Sequence, residues 1–119
     1  MKSIFEFVEI FLHRLPVDGR KSINGLSEVA SAQMTAPITR GTSLFVFTNR
    51  RRNTLKILYW DRTGFALWVK RLEKEQFRWP MKLAVDMVYI TPRELSWLLE
   101  GLDITRMKPH SALHFPSVS

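Results

Sequence analysis

The sequence predicts a small α+β domain: an antiparallel sheet of about four or five strands around a central meander, with two helices packed on one face. Three observations lead there. Strand-like runs at 44–48, 54–60 and 65–72 follow one another across two short polar turns, and connections that short suit antiparallel neighbours. Apolar residues at helical spacing precede and follow these runs. A length of 119 residues, 45% hydrophobic and 24% charged, fits one globular domain with one modest core.

Taken in order, residues 4–12 are rich in Ile, Phe and Val, and their second half reads as a strand ending near Pro16. Asp18 then offers a helix N-cap, and Ile23, Leu26, Val29, Ala30 and Met34 recur at helical spacing through about residue 32. Gly25 inside that run costs about 1 kcal/mol relative to Ala. Residues 35–41, with Pro37 and Gly41, form a loop. The 44–48 run is apolar on both faces, and the turn that follows, 49–53, is almost wholly Arg and Asn. In 54–60, Leu55, Ile57 and Tyr59 alternate with Lys56, Leu58 and Trp60. Asp61-Arg62-Thr63-Gly64 has Asp first and Gly last, as a type I turn prefers. Phe65, Leu67, Val69 and Arg71 then alternate with Ala66, Trp68, Lys70 and Leu72 on the returning strand. Residues 77–79 and 87–90 are further short strands by composition.

The last helix is the most clearly signalled element. Thr91, Pro92 and Glu94 occupy the N-cap, first and third positions of a capping box. Leu95, Leu98, Leu99 and Leu102 form its apolar stripe, and Gly101 marks its end. The domain is therefore expected to occupy residues 1–105, with 106–119 a flexible tail of Pro, Ser and His.

Charge supplies the functional signal. The chain has 18 Lys+Arg against 11 Asp+Glu, a formal net charge of +7. From residue 50 to residue 82 there are 10 basic and 3 acidic side chains, so the whole excess lies in the central third. A concentrated excess focuses potential over one surface and attracts a polyanion. Arg50, Arg51 and Arg52 at a hairpin tip repel one another, and phosphates would relieve that repulsion while accepting bidentate hydrogen bonds. Lys56, Lys70 and Arg71 lie on the adjoining strands. Among the interleaved aromatics, Phe65, Trp68 and Phe77 read as core, whereas Tyr59 and Trp60 beside the turn suit either core or base stacking.

Other chemistries find little support. There is no Cys, which removes disulfides, thiolate zinc sites and thiol nucleophiles. The standard nucleotide, hydrolase and zinc-protease strings are absent, so no cofactor and no metal are expected. Asp61 and Asp86 with Asp18 or Asp103 could serve a metal nuclease, but the turn explains Asp61 and the cap explains Asp18. His110 and His114 lack a third ligand. Apolar runs reach only about four residues, too short for a membrane span, and Glu6 and Glu9 argue against a signal peptide.

The central string resembles a known family. Leu44-Phe45-Val46-Phe47, Asn49-Arg50-Arg51-Arg52, Leu55 to Asp61, Gly64-Phe65, Lys70-Arg71-Leu72-Glu73 and Phe77-Arg78-Trp79-Pro80 are similar to the accessory protein (second reading frame, TnpB-type) of the insertion-sequence-sixty-six transposons. Pro16 to Leu26 and the Leu95 to Asp103 run match as well, except that Gly19 stands where the family usually has Met, and Asn24 where it has Asp. The resemblance implies a non-catalytic, cytoplasmic role in bacterial DNA transposition, beside a separate transposase of the same element. On that reading Arg20, Lys21, Arg50, Arg51, Arg52, Lys56, Lys70 and Arg71 contact DNA at the transposon ends, with Arg20 and Lys21 in the first turn of a helix whose N-terminus also favours anions. The alternative is an adaptor that docks the transposase without touching DNA. A small sheet leaves edges that pair readily, so a homodimer is compatible with the sequence.

Overall fold

The computed structural model describes residue 7 and residues 9–106; the expected tail beyond Arg106 lies outside the described residues. Seven elements follow in order: β1 (Glu9–His13), α1 (Ile23–Gln33), β2 (Ser43–Thr48), β3 (Thr54–Asp61), β4 (Gly64–Arg71), β5 (Met87–Ile90) and α2 (Pro92–Leu99). The strands form one sheet in the order β4-β3-β2-β1-β5. The α+β class, the five strands and the β2-β3-β4 meander agree with the sequence reading.

Two features of the architecture differ from it. The sheet is mixed: β1 and β2 run parallel, Ile10 opposite Leu44 and Leu12 opposite Val46, while every other neighbouring pair is antiparallel. A parallel pair needs a crossover, and α1 with its flanking loops supplies it. The helices also cover opposite faces instead of one. Leu44, Val46, Ile10, Leu12, Leu55 and Ile57 pack on one side with Leu95 and Leu98 of α2. Phe45, Phe47, Phe11 and Leu58 pack on the other with Leu26 and Ala30 of α1. The reason is in β2, whose six residues are all buried: a central strand apolar on both faces requires a cover on each.

Local chemistry explains the element ends. α1 begins at Ile23 with Ser22 in the N-cap position, so Asp18 is not its cap, and Arg20 and Lys21 precede the helix. Asp18 instead closes a turn on its own, its carboxylate accepting the Arg20 backbone N–H at 2.9 Å. Gly25 is accommodated because a Cβ there would come within 3.3 Å of Lys21 Cγ. In the β3–β4 hairpin Arg62 has φ 53, the left-handed value of a primed turn and not of type I. The capping box of α2 forms as read: Thr91 Oγ1 accepts from the Glu94 N–H at 3.1 Å, and Glu94 Oε1 accepts from the Thr91 N–H at 2.7 Å.

The stretch from 72 to 86 crosses the α2 side of the sheet without joining it. Phe77 and Trp79 are buried, which a strand would also achieve, but their backbone closes on itself: Trp79 N–H donates to Phe77 O at 2.9 Å and Met81 N–H to Trp79 O at 2.8 Å. Side chains anchor it instead. Trp79 Nε1 donates to Arg14 O at 2.8 Å, and the Arg14 guanidinium donates to Val85 O at 2.7 Å and Met81 O at 3.3 Å, with Asp86 3.5 Å away. Replacing Thr91 with Ala should cost about 1 kcal/mol in urea unfolding, and replacing it with Ser close to nothing, because only the hydroxyl closes the box.

Candidate nucleic-acid interface

The strand registers bring most of the basic residues to one end of the sheet. Because β1 and β2 are parallel they finish together, and by antiparallel pairing β3 and β5 begin there and β4 finishes there. The segments leaving that end carry Arg14, Arg20, Lys21, Arg50, Arg51, Arg52, Arg71, Lys74, Arg78 and Lys82. The opposite end carries the 34–42 loop, the 62–63 turn and the start of α2, with Arg40, Arg62 and Arg93 among the described residues. The sequence-level charge cluster is thus also a spatial one at the level of the whole end.

Asn49 builds the hairpin tip. Its Oδ1 accepts from the N–H groups of Asn53 and Thr54, each at 3.1 Å, its Nδ2 donates to Asn53 Oδ1 at 2.7 Å, and its carbonyl accepts from Arg52 N–H at 3.0 Å. Within that frame Arg52 is held at φ 57, a conformation that costs a non-glycine residue about 1–2 kcal/mol. The neighbouring loop sustains it: Phe77 N–H donates to Arg52 O and Gln76 Nε2 to Arg51 O, both at 2.6 Å. Arg50 and Arg51 project into solvent.

The parallel pairing continues past β2 as a bridge between Val17 and Asn49, which sets the 18–20 turn beside the tip. Asp18, Gly19, Arg20, Asn49, Arg50 and Arg51 line a shallow notch of about 430 Å³ between the two loops. Asp18 holds Arg20 by a two-point contact, Nη2 at 2.8 Å and Nε at 3.1 Å. That bond, the Arg20 N–H and, more weakly, the charges of Arg20 and Arg50 hold the Asp18 carboxyl far below the usual carboxylate range, against an opposing effect of burial. The notch therefore keeps one anion among its cations at any pH near neutrality.

The predicted residues do not act as one set. Arg20, Arg50 and Arg51 meet at the notch, with Lys21 and Arg52 flanking it. Lys56 and Lys70 point to opposite faces, since Leu55 faces Lys70 and Lys56 faces Val69 across β3 and β4. Each has a structural engagement: Lys56 Nζ donates to Gly19 O at 2.8 Å and Lys21 O at 2.7 Å, tying the 18–21 turn to the sheet, and Lys70 Nζ donates to Leu99 O at 3.1 Å at the C-terminal end of α2. Arg71 lies on the Lys56 side and only grazes Glu73 at 4.0 Å. Lys74, Arg78 and Lys82, left out of the sequence-derived set, stand exposed on the crossing loop, and among the described residues they, with Arg50, Arg51 and Arg52, make no ion pair. Their signal was the in–out alternation of 77–85, where Phe77, Trp79, Met81, Leu83 and Val85 face inward.

No three His, Cys, Asp or Glu side chains gather to hold a metal among the described residues, and no helix there is long and apolar enough to cross a membrane. Together, these features define a small α+β domain with a cationic end. A family model described as IS66 Orf2 like protein matches residues 8–109, and the chain belongs to that family, whose role is accessory to transposition. Two relatives come from Sinorhizobium fredii. The uncharacterized protein y4jC is 35% identical over 101 residues, covering 85% of each chain. The uncharacterized protein y4hO is 39% identical over 61 residues, 51% of this chain and 52% of its own. No solved structure matches the chain.

The division of labour among the cations is testable. Lys56→Met and Lys70→Met should each lower stability by about 1–2 kcal/mol in chemical denaturation, since each strands backbone carbonyls now bonded to a charged donor. Arg50→Ala and Arg51→Ala, whose side chains are exposed and make no ion pair among the described residues, should stay within about 0.5 kcal/mol of the parent.

Proposed function

We propose that the protein is a non-catalytic accessory factor of transposition that binds DNA through the cationic end of its sheet and assists a separate transposase encoded by the same element. Family membership supports the transposition role and the association with a transposase. The observation that carries DNA binding is the Asn49-built tip, which holds Arg50, Arg51 and Arg52 together without an ion pair among the described residues. Phosphates are the ligand that such a turn lacks: they accept paired guanidinium hydrogen bonds and remove the mutual repulsion.

In this mechanism Arg50, Arg51 and Arg52 contact the backbone of one DNA segment, and Arg20 and Lys21 add contacts from the adjoining turn. Contacts of this kind position a protein on DNA without reading bases. Lys56 acts indirectly, by fixing the 18–21 turn against the sheet. Lys70 serves α2 and takes no part at the tip.

Two outcomes are expected in DNA titrations. With about five phosphate contacts, log K should fall against log[salt] with a slope of about −4.5, and replacing Arg50, Arg51 and Arg52 with Ala should flatten it by about 0.9 per arginine. A slope near zero, or no binding in low salt, rejects the reading. Asp18→Asn should tighten binding by severalfold at pH 7, because it removes the anion beside Arg20 and Arg50. The sign follows from the depressed pKa: Asp18 stays ionised in the folded protein well below the pH at which a free carboxylate protonates, so the wild type should gain no such tightening even as pH falls to about 4, where an ordinary aspartate begins to lose its charge.

A further inference from the structure

A second concavity lies next to the tip and differs from it chemically. It is a groove of about 1030 Å³ between residues 74–83 and the 101–106 turn that follows α2. Arg52, Arg78 and Lys82 line it without ion pairs among the described residues. Two carboxylates line it as well, Glu75 and Asp103; Asp103 is already engaged, accepting from the Thr105 hydroxyl at 2.6 Å and N–H at 3.1 Å, with Arg106 3.6 Å away. Those bonds, then the nearby Arg106 and Arg78 charges, hold Asp103 below its ordinary pKa, so it remains ionised without consuming Arg78 in an ion pair.

The lining discriminates among polyanions. Phe77 and Trp79 are only 2% and 7% exposed, so neither offers a base a face to stack on. The apolar surface that remains belongs to the half-buried Met81 and Leu83, a thioether and an aliphatic side chain that adapt to another apolar side chain.

We propose that this groove docks an acidic peptide segment of a partner protein, its carboxylates on Arg52, Arg78 and Lys82 and one apolar side chain on Met81 and Leu83. The inference rests on the accessory role for the existence of a partner and is independent of DNA contact at the tip. Arg78 and Lys82 alternate with the buried Phe77 and Trp79 and the half-buried Met81 along the loop, so charge recognition and apolar recognition come from one extended segment. Arg52 closes the groove on the tip side, which would place a bound peptide beside bound DNA.

The test uses the full chain and fluorescence anisotropy with two labelled peptides of equal charge, one alternating glutamate with leucine, the other glutamate with serine, and a single-stranded oligonucleotide as competitor. The leucine peptide should bind at least about tenfold more tightly than the serine peptide. The Arg78→Glu, Lys82→Glu double variant should lose about tenfold or more of that binding, and Met81→Ser should bring the leucine peptide down to the serine peptide, with circular dichroism unchanged in both. Arg50→Glu with Arg51→Glu should leave peptide affinity within about twofold while weakening duplex binding. Failure of that last variant to weaken duplex binding removes the DNA reading and leaves this one standing. Equal affinity for the two peptides, no binding of either, binding unaffected by the double variant, or displacement by the oligonucleotide at lower concentration than by unlabelled peptide overturns the proposal.

Discussion

The parallel pairing of β1 with β2 is the constraint on which the rest depends. Two strands that end together release their following segments side by side, and here those segments are the 14–22 stretch and the arginine turn. An antiparallel β1–β2 pair would have sent them to opposite ends, and the notch lined by Asp18, Arg20, Arg50 and Arg51 would not exist. The pairing is itself driven by burial. Both strands are flanked by neighbours and covered on both faces, and a strand such as β2 with every residue buried has no stable place except the interior of a sheet.

Within that frame the cations divide by function. Arg14, Lys56 and Lys70 are bonded to backbone carbonyls and hold the crossing loop, the 18–21 turn and the end of α2. Each of these contacts satisfies acceptors in segments that have no ladder of their own, a role for which a long cationic side chain suits irregular chain. Arg50, Arg51, Arg52, Lys74, Arg78 and Lys82 stand at the same end of the molecule without an ion pair among the described residues. Three of these are adjacent arginines, and one of them, Arg52, holds a left-handed backbone conformation, as Arg62 does in the β3–β4 turn at the other end.

Much of the fold was legible in the sequence, and the exceptions have physical reasons. The β2-β3-β4 meander and the capped α2 follow from short-range signals: period-two alternation, turn residues and the Thr91, Pro92, Glu94 box. Pairing of β1 was not legible, because the partner of a strand is set by long-range burial; the one clue was that 44–48 is apolar on both faces, which marks a central strand needing two covers. Asp18 looked like a helix cap because turn and cap chemistry use the same side chain, and Ser22 provides no side-chain cap bond by which it could have been recognised. Phe77 and Trp79 looked like a strand because they alternate inward, yet side-chain anchors replaced the ladder. At the candidate site, the arginine triplet was legible from composition alone. That Lys56 and Lys70 lie on opposite faces depends on register, which one sequence does not carry.

On the proposed function, DNA would sit at the end of the sheet where β1 and β2 terminate. The most direct measurement is an amide chemical-shift map of the isotope-labelled protein during titration with short duplex DNA in low salt. The account predicts that the largest shifts fall at 18–22 and 49–53, with the 34–42 loop and the 62–63 turn unchanged. The largest shifts at those opposite-end loops, or small shifts spread evenly over both ends, would contradict it.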